Sequence, residues 1–139
     1  MKILVADDDI VYRALMEGLL SQWGYEVAVA SNGLEAWEVI KSDEPPSIAV
    51  VDWMMPKMDG FDLCRKVRED HTIKNLYLLL FTGSYKKEEI IKVLVVGADD
   101  YLIKPFEPLD LKIRIRAACR ILDLQAEVDR LRHTSKPAA

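Results

Sequence analysis

The chain has 139 residues, half of them apolar and 30% charged, which is the composition of one globular domain with a single core and excludes a disordered or fibrous polymer. Nineteen Lys and Arg against 23 Asp and Glu leave a net charge of -4, which removes the general attraction to phosphate backbones and argues against direct DNA binding. The two distant cysteines, Cys64 and Cys119, signal neither a disulfide framework nor a zinc site; with no membrane-length apolar run and no signal-peptide layout, no membrane association and a cytoplasmic location are expected.

Short β-branched runs alternate with longer amphipathic ones, the pattern of βα units that build a parallel sheet covered on both faces. The first strand is predicted over residues 2–6 (KILVA). Asp9 then caps a helix whose core side is Val11, Leu15, Leu19 and Trp23, and Gly24 stops it. After a strand over 26–30 (EVAVA), Asn32 and Gly33 open a second helix carrying Ala36, Val39 and Ile40, which the Glu44-Pro45-Pro46 stretch cannot continue. A strand over 47–51 (SIAVV) precedes a third helix beginning near Gly60. Its face of Gly60, Leu63, Cys64 and Val67 makes Cys64 a packed small hydrophobe. The fourth strand covers 76–81 (LYLLLF). The fourth helix, about 86–96, has a core stripe of Ile90, Val93, Leu94 and Gly97, yet Ile91, Val95 and Val96 lie off it. Deeper burial and an exposed partner patch explain those three equally well. A short strand over 101–103 follows, and Pro108 starts a last helix that runs to Arg132.

In an open parallel sheet, ligands bind outside the carboxyl ends of the strands. Here those ends carry Asp7-Asp8-Asp9 after the first strand, Asp52 after the third, Thr82-Gly83-Ser84 after the fourth and Lys104-Pro105 after the fifth. Each alone reads as a cap or turn residue. Jointly they read otherwise, because carboxylates about 4 Å apart repel by roughly 4 kcal/mol at an effective dielectric of about 20. That cost points to a divalent cation, and an all-oxygen ligand set without His or Cys favours Mg²⁺, which commonly travels with a phosphate.

The acidic cluster, then Asp52 followed by Trp53-Met54-Met55-Pro56-Lys57-Met58-Asp59-Gly60, then Thr82-Gly83, then Tyr101-Leu102-Ile103-Lys104-Pro105-Phe106, resembles the CheY-like receiver domain of two-component response regulators. The resemblance covers residues 2–122. It implies a flavodoxin-like, doubly wound (βα)5 α/β fold with a five-stranded parallel sheet in the order 2-1-3-4-5 and an extended C-terminal helix. It also implies a phospho-accepting switch of a phosphorelay rather than an enzyme, charged by a sensor histidine kinase, a phosphotransfer protein or a small phosphodonor. Carried over residue by residue, Asp52 is the phosphoacceptor. Mg²⁺ is held by Asp8, Asp52, the backbone carbonyl of Met54 and, through water, Asp7, while Asp9 is left to cap the helix. Lys104 and Thr82 bind the phosphoryl group, Thr82 and Tyr101 form the switch pair, and a cis Lys104-Pro105 bond aims Lys104 inward. Met54 departs from the polar residues common two positions after the acceptor; an apolar side chain cannot orient water, so slow autodephosphorylation is expected.

Other readings fare worse on the same residues. A flavin module needs a Ser/Thr/Gly-rich phosphate loop where three aspartates stand. A phosphatase working through an aspartyl-phosphate calls for a second acid at position 54, which is Met54. A pseudo-receiver would not need the complete acceptor set. His71 and His133 read as solvated surface residues.

The last helix separates into two stripes. Leu111, Ile115, Ala118 and Leu122 form one, whose continuation at Gln125 and Asp129 is polar, so docking is expected to end near Leu122. Ala117, Ile121, Leu124, Val128 and Leu131 form the other at a/d heptad spacing, about a third of a turn away. The expected organisation is a receiver over 1–122, a projecting coupling helix over 123–133 and a tail over 134–139. The last ten helical residues would reach roughly 15 Å beyond the body. A homodimer through the fourth helix, the fifth strand and the last helix is expected; two heptads alone are too few to hold it.

Overall fold

The computed structural model describes residues 1–83 and 86–134. Ser84 and residues 135–139 of the predicted tail lie outside them. Along the chain run β1 (Lys2–Ala6), α1 (Ile10–Gln22), β2 (Glu26–Ala30), α2 (Gly33–Ile40), β3 (Ile48–Asp52), α3 (Gly60–Glu69), β4 (Tyr77–Thr82), α4 (Lys87–Val96), β5 (Asp100–Ile103) and α5 (Pro108–Thr134). The strands form one parallel sheet in the order β2-β1-β3-β4-β5. This is the doubly wound, flavodoxin-like arrangement expected of the sequence.

Both faces of the sheet are covered, which is why β1, β3 and β4 are continuous apolar runs instead of alternating ones. The period of two then divides each strand between two cores. Leu4, Ala6, Ala49, Val51, Leu78 and Leu80 face α2, α3 and α4, meeting Ala36, Ile40, Leu63, Cys64, Val67 and Val93. Ile3, Val5, Ile48, Val50, Leu79 and Phe81 face α1 and α5, meeting Met16, Leu20, Leu111, Ile115 and Ala118. Cys64 is fully buried, and that burial pushes its thiol pKa up to about 12, so it packs as a small hydrophobe.

Three sequence expectations are corrected. On α1 the core face is Tyr12, Met16, Leu19, Leu20 and Trp23, whereas Val11 is 70% exposed and Leu15 is exposed too. Leu19 and Trp23 belong to both faces, and the stripe anchored on Val11 is offset from the observed one by roughly 60°, because α1 is apolar over more than half its circumference and either stripe fits the period. On α4 only Val93 is buried, and Leu94, assigned to the core stripe, is exposed. Finally, β3 and β4 extend to Asp52 and Thr82, residues read as lying just beyond them. Asp52 pairs with Phe81 and Thr82 with Ile103, so both side chains are aimed by ladder geometry and not by loops.

On α5, Leu122 packs against the core, and beyond it a polar contact runs from Asn75 Nδ2 to Asp129 Oδ2 at 3.1 Å. No helix among the described residues is long and apolar enough to cross a membrane.

Candidate phosphoacceptor site

Parallel pairing brings the carboxyl ends of β1, β3, β4 and β5 to one edge, and the polar residues collect there. Asp7 directly follows β1. Its backbone N–H continues the ladder to the Ala30 carbonyl at 3.1 Å, and its side chain is 0% exposed. Oδ1 of Asp7 accepts from the Asp9 N–H at 2.9 Å, and Oδ2 accepts from Lys104 Nζ at 2.9 Å. Asp9 does cap α1, accepting from the Val11 N–H at 2.9 Å.

Asp52 closes β3. Lys104 Nζ stands 3.3 Å from its Oδ2, so one ammonium bridges the carboxylates of Asp7 and Asp52. Burial, and next the Asp7 carboxylate, raise the Asp52 pKa to about 6 against the opposing pull of Lys104. Burial works against the Lys104 charge, but the Asp7 hydrogen bond and the two carboxylates outweigh it and hold the lysine above its ordinary pKa. Lys104 is aimed inward by the turn after β5, where the Lys104-Pro105 bond is cis and the Lys104 N–H donates to the Thr82 carbonyl at 2.9 Å.

The carboxylates of Asp7, Asp8 and Asp52 offer oxygens within 4.8 Å of one another. Asp8 is exposed and faces outward from the same corner. An all-oxygen set of three acids, open on the Asp8 side, suits a hard divalent cation such as Mg²⁺ better than zinc. Thr82 is buried at the end of β4 and Tyr101 is half-buried on β5, paired with Leu80. Met54 lies two residues past β3 with its side chain exposed.

The segment between Asp52 and Gly60 is held tightly against the strand. The Gly60 N–H donates to the Trp53 carbonyl at 2.8 Å, and Asp59 caps α3 by accepting from the Asp62 N–H at 2.8 Å. A Cβ on Gly60 would lie 2.4 Å from the Asp52 carbonyl oxygen. Only glycine lets α3 start this close to Asp52.

Two contributors escaped the sequence reading. Arg13 Nη1 donates to the Asp7 carbonyl at 2.8 Å, and the Tyr12 ring lies 4.3 Å from Lys104 Nζ, within cation-π range. Phe106 stacks on Phe81 at 5.2 Å and stands 6.0 Å from Tyr12, so an aromatic wall flanks the lysine. The signal for Tyr12 was the Met16–Leu20 phase of α1.

An edge-bound acid cluster with a bridging lysine on a doubly wound parallel sheet is the framework of a signalling receiver. The sequence model of the response regulator receiver domain matches residues 3–116, and this chain belongs to that family. It is 39% identical over 116 residues to the chemotaxis protein CheY1 of Helicobacter pylori strain J99, covering 83% of this chain and 94% of that protein. Among solved structures, the chemotaxis response regulator CheY4 of Vibrio cholerae superposes with a TM-score of 0.79 at 31% identity, covering 84% of this chain and 97% of the other. NtrX of Brucella abortus gives a TM-score of 0.84 at 28% identity over 94% of this chain, but only 29% of the NtrX chain.

Proposed function

We propose that this chain is a phospho-accepting switch in which the Asp52 carboxylate takes a phosphoryl group from a sensor histidine kinase, a phosphotransfer protein or a small phosphodonor. The observation that carries this reading is the Lys104 ammonium held between Asp7 and Asp52, at 2.9 and 3.3 Å. Phosphoryl transfer needs positioning and charge neutralisation more than proton transfer, and these residues supply both. An oxygen of Asp52 attacks phosphorus in line, the bond to the donor's nitrogen or oxygen breaks, and an acyl phosphate forms. Lys104 then moves from the carboxylates toward the new phosphoryl oxygens, offsetting the roughly -1.5 to -2 charge that phosphorylation adds.

Asp8, Asp52, the Met54 carbonyl and, through water, Asp7 would hold Mg²⁺, which supplies charge neutralisation at the transferring group. Thr82 donates its hydroxyl to the phosphoryl group, and Tyr101 follows into the space it leaves. Their positions on adjacent strands β4 and β5 support that coupling. The surface altered is that of α4, β5 and α5, where Ile91, Leu94 and Val95 are exposed, and it serves dimerisation or partner binding in the cytoplasm.

The test is intact-mass analysis after incubation with acetyl phosphate and Mg²⁺. One added phosphoryl group is expected on the wild type and none on Asp52→Asn; a phosphorylated Asp52→Asn would refute the assignment.

A further inference from the structure

The 27-residue helix α5 uses only one of its apolar stripes. Leu111, Ile115, Ala118 and Leu122 are docked on the domain, whereas Ile121, Leu124, Val128 and Leu131 are exposed. At 100° per residue the exposed stripe is centred roughly 130° around the helix from the docked one. A second helix laid along it lies away from the docked face, with Asn75 at the margin of the groove that Ile121, Leu124 and Val128 line.

We propose that the occupant is α5 of a second copy of this chain, parallel and in register, forming a short two-stranded coiled coil. The inference rests on the dimer reading above and adds its geometry. Spacing of three, four and three residues puts Ile121 and Val128 at a positions and Leu124 and Leu131 at d. β-branched residues at a with leucine at d are the combination that favours two parallel strands.

The flanking charges give the same orientation. Glu127 falls at g and Arg132 at the following e, so in a parallel pair Glu127 meets Arg132 of the second copy, twice by symmetry. An antiparallel pair that keeps the same apolar layers sets Glu127 against Glu127. Arg130, at c, pairs with Glu127 within the helix and holds its carboxylate along the edge of the stripe.

Two heptads are normally too short, because an isolated helix of that length must also nucleate. Here the docked stripe already holds α5 on the sheet, and the Asn75 to Asp129 hydrogen bond extends that support at 3.1 Å. Pairing is left to join two preformed helices.

The experiment uses the full chain with Cys119→Ser, Cys64 being buried. Under mild oxidation Leu131→Cys should give a disulfide dimer and Asp123→Cys, on the outer face, should not. An antiparallel pair would set position 131 opposite 121 and leave Leu131→Cys uncrosslinked. In sedimentation, Glu127→Arg should weaken dimerisation roughly tenfold and Glu127→Arg with Arg132→Glu should restore it. A dimer that neither crosslinks at 131 nor responds to Glu127→Arg overturns the proposal while leaving dimerisation through α4 and β5 standing. A monomer at all concentrations, with Mg²⁺ and beryllofluoride present and Asp52 phosphorylation intact, overturns both.

Discussion

Lys104 holds two carboxylates together at the strand ends, and the proposed transfer asks the same side chain to meet the phosphoryl group. In the structure its ammonium neutralises two carboxylates, and the fully buried Asp7 carboxylate accepts, among the described residues, from the Asp9 N–H as well. Replacing it by Met keeps the stem's packing against Tyr12 and removes the charge. With the metal chelated, Lys104→Met is expected to lower unfolding stability by about 1–3 kcal/mol, because Asp7 is left facing Asp52 uncompensated. The same change removes the cation that competes for those oxygens. Millimolar Mg²⁺ should therefore raise the melting temperature of the variant more than that of the wild type. Equal shifts in a calorimetric comparison would mean that Lys104 and the metal do not share ligands.

Elements meet this site through backbone approach as much as through side chains, and glycine substitutions separate the two cases. At Gly60 a Cβ would collide with the Asp52 carbonyl at 2.4 Å. Gly60→Ala should cost about 1–3 kcal/mol and slow phosphorylation, because the end of β3 or the start of α3 has to shift. Gly18, in the exposed middle of α1, meets nothing within 4 Å. Gly18→Ala should stabilise by about 0.5–1 kcal/mol and leave phosphorylation unchanged. Urea titration with acetyl-phosphate labelling reads both. At the opposite edge of the sheet, Lys41 at the end of α2 bonds Asp70 at the end of α3 at 2.7 Å, and Thr72 bonds it as well. The Lys41 hydrogen bond first, then Thr72, hold the Asp70 carboxyl well below the usual carboxylate range. Its contribution is present above the unfolded-state pKa and is lost as pH falls through the folded one. The gap in melting temperature between wild type and Asp70→Asn is thus expected at pH 7 and should close progressively below about pH 4. A gap independent of pH would show that the ion pair carries none of it.

At the scale of the whole molecule, the sheet links the edge that carries Asp52 to an outer surface. Thr82 on β4 and Tyr101 on β5 belong to one ladder, and Arg114 Nε on α5 donates to the Tyr101 carbonyl at 2.7 Å. A displacement of Tyr101 therefore bears on α5 directly. Tyr101→Ala is expected to leave labelling of Asp52 largely intact while weakening phosphorylation-dependent association several-fold. Sedimentation with and without beryllofluoride measures this, and an unchanged association would exclude Tyr101 from the switch.

The sequence alone determined the alternation of strands and helices, the caps at Asp9 and Asn32, the core face of α3 and the identity of the strand-end residues, because each is written in local period or local chemistry. It also carried the D-x-M-M-P-x-M-D-G and K-P-F blocks that identify the family. Tertiary structure decided what depends on neighbours distant in sequence. The phase of α1 was open until Met16 and Leu20 met the sheet, and α4 was open until Val93 alone found cover. Likewise, the bridging position of Lys104, its Tyr12 wall and the Arg13 contact needed β1, β3 and β5 to end at one edge. That placement is a property of sheet order and register, which no run of neighbouring residues encodes.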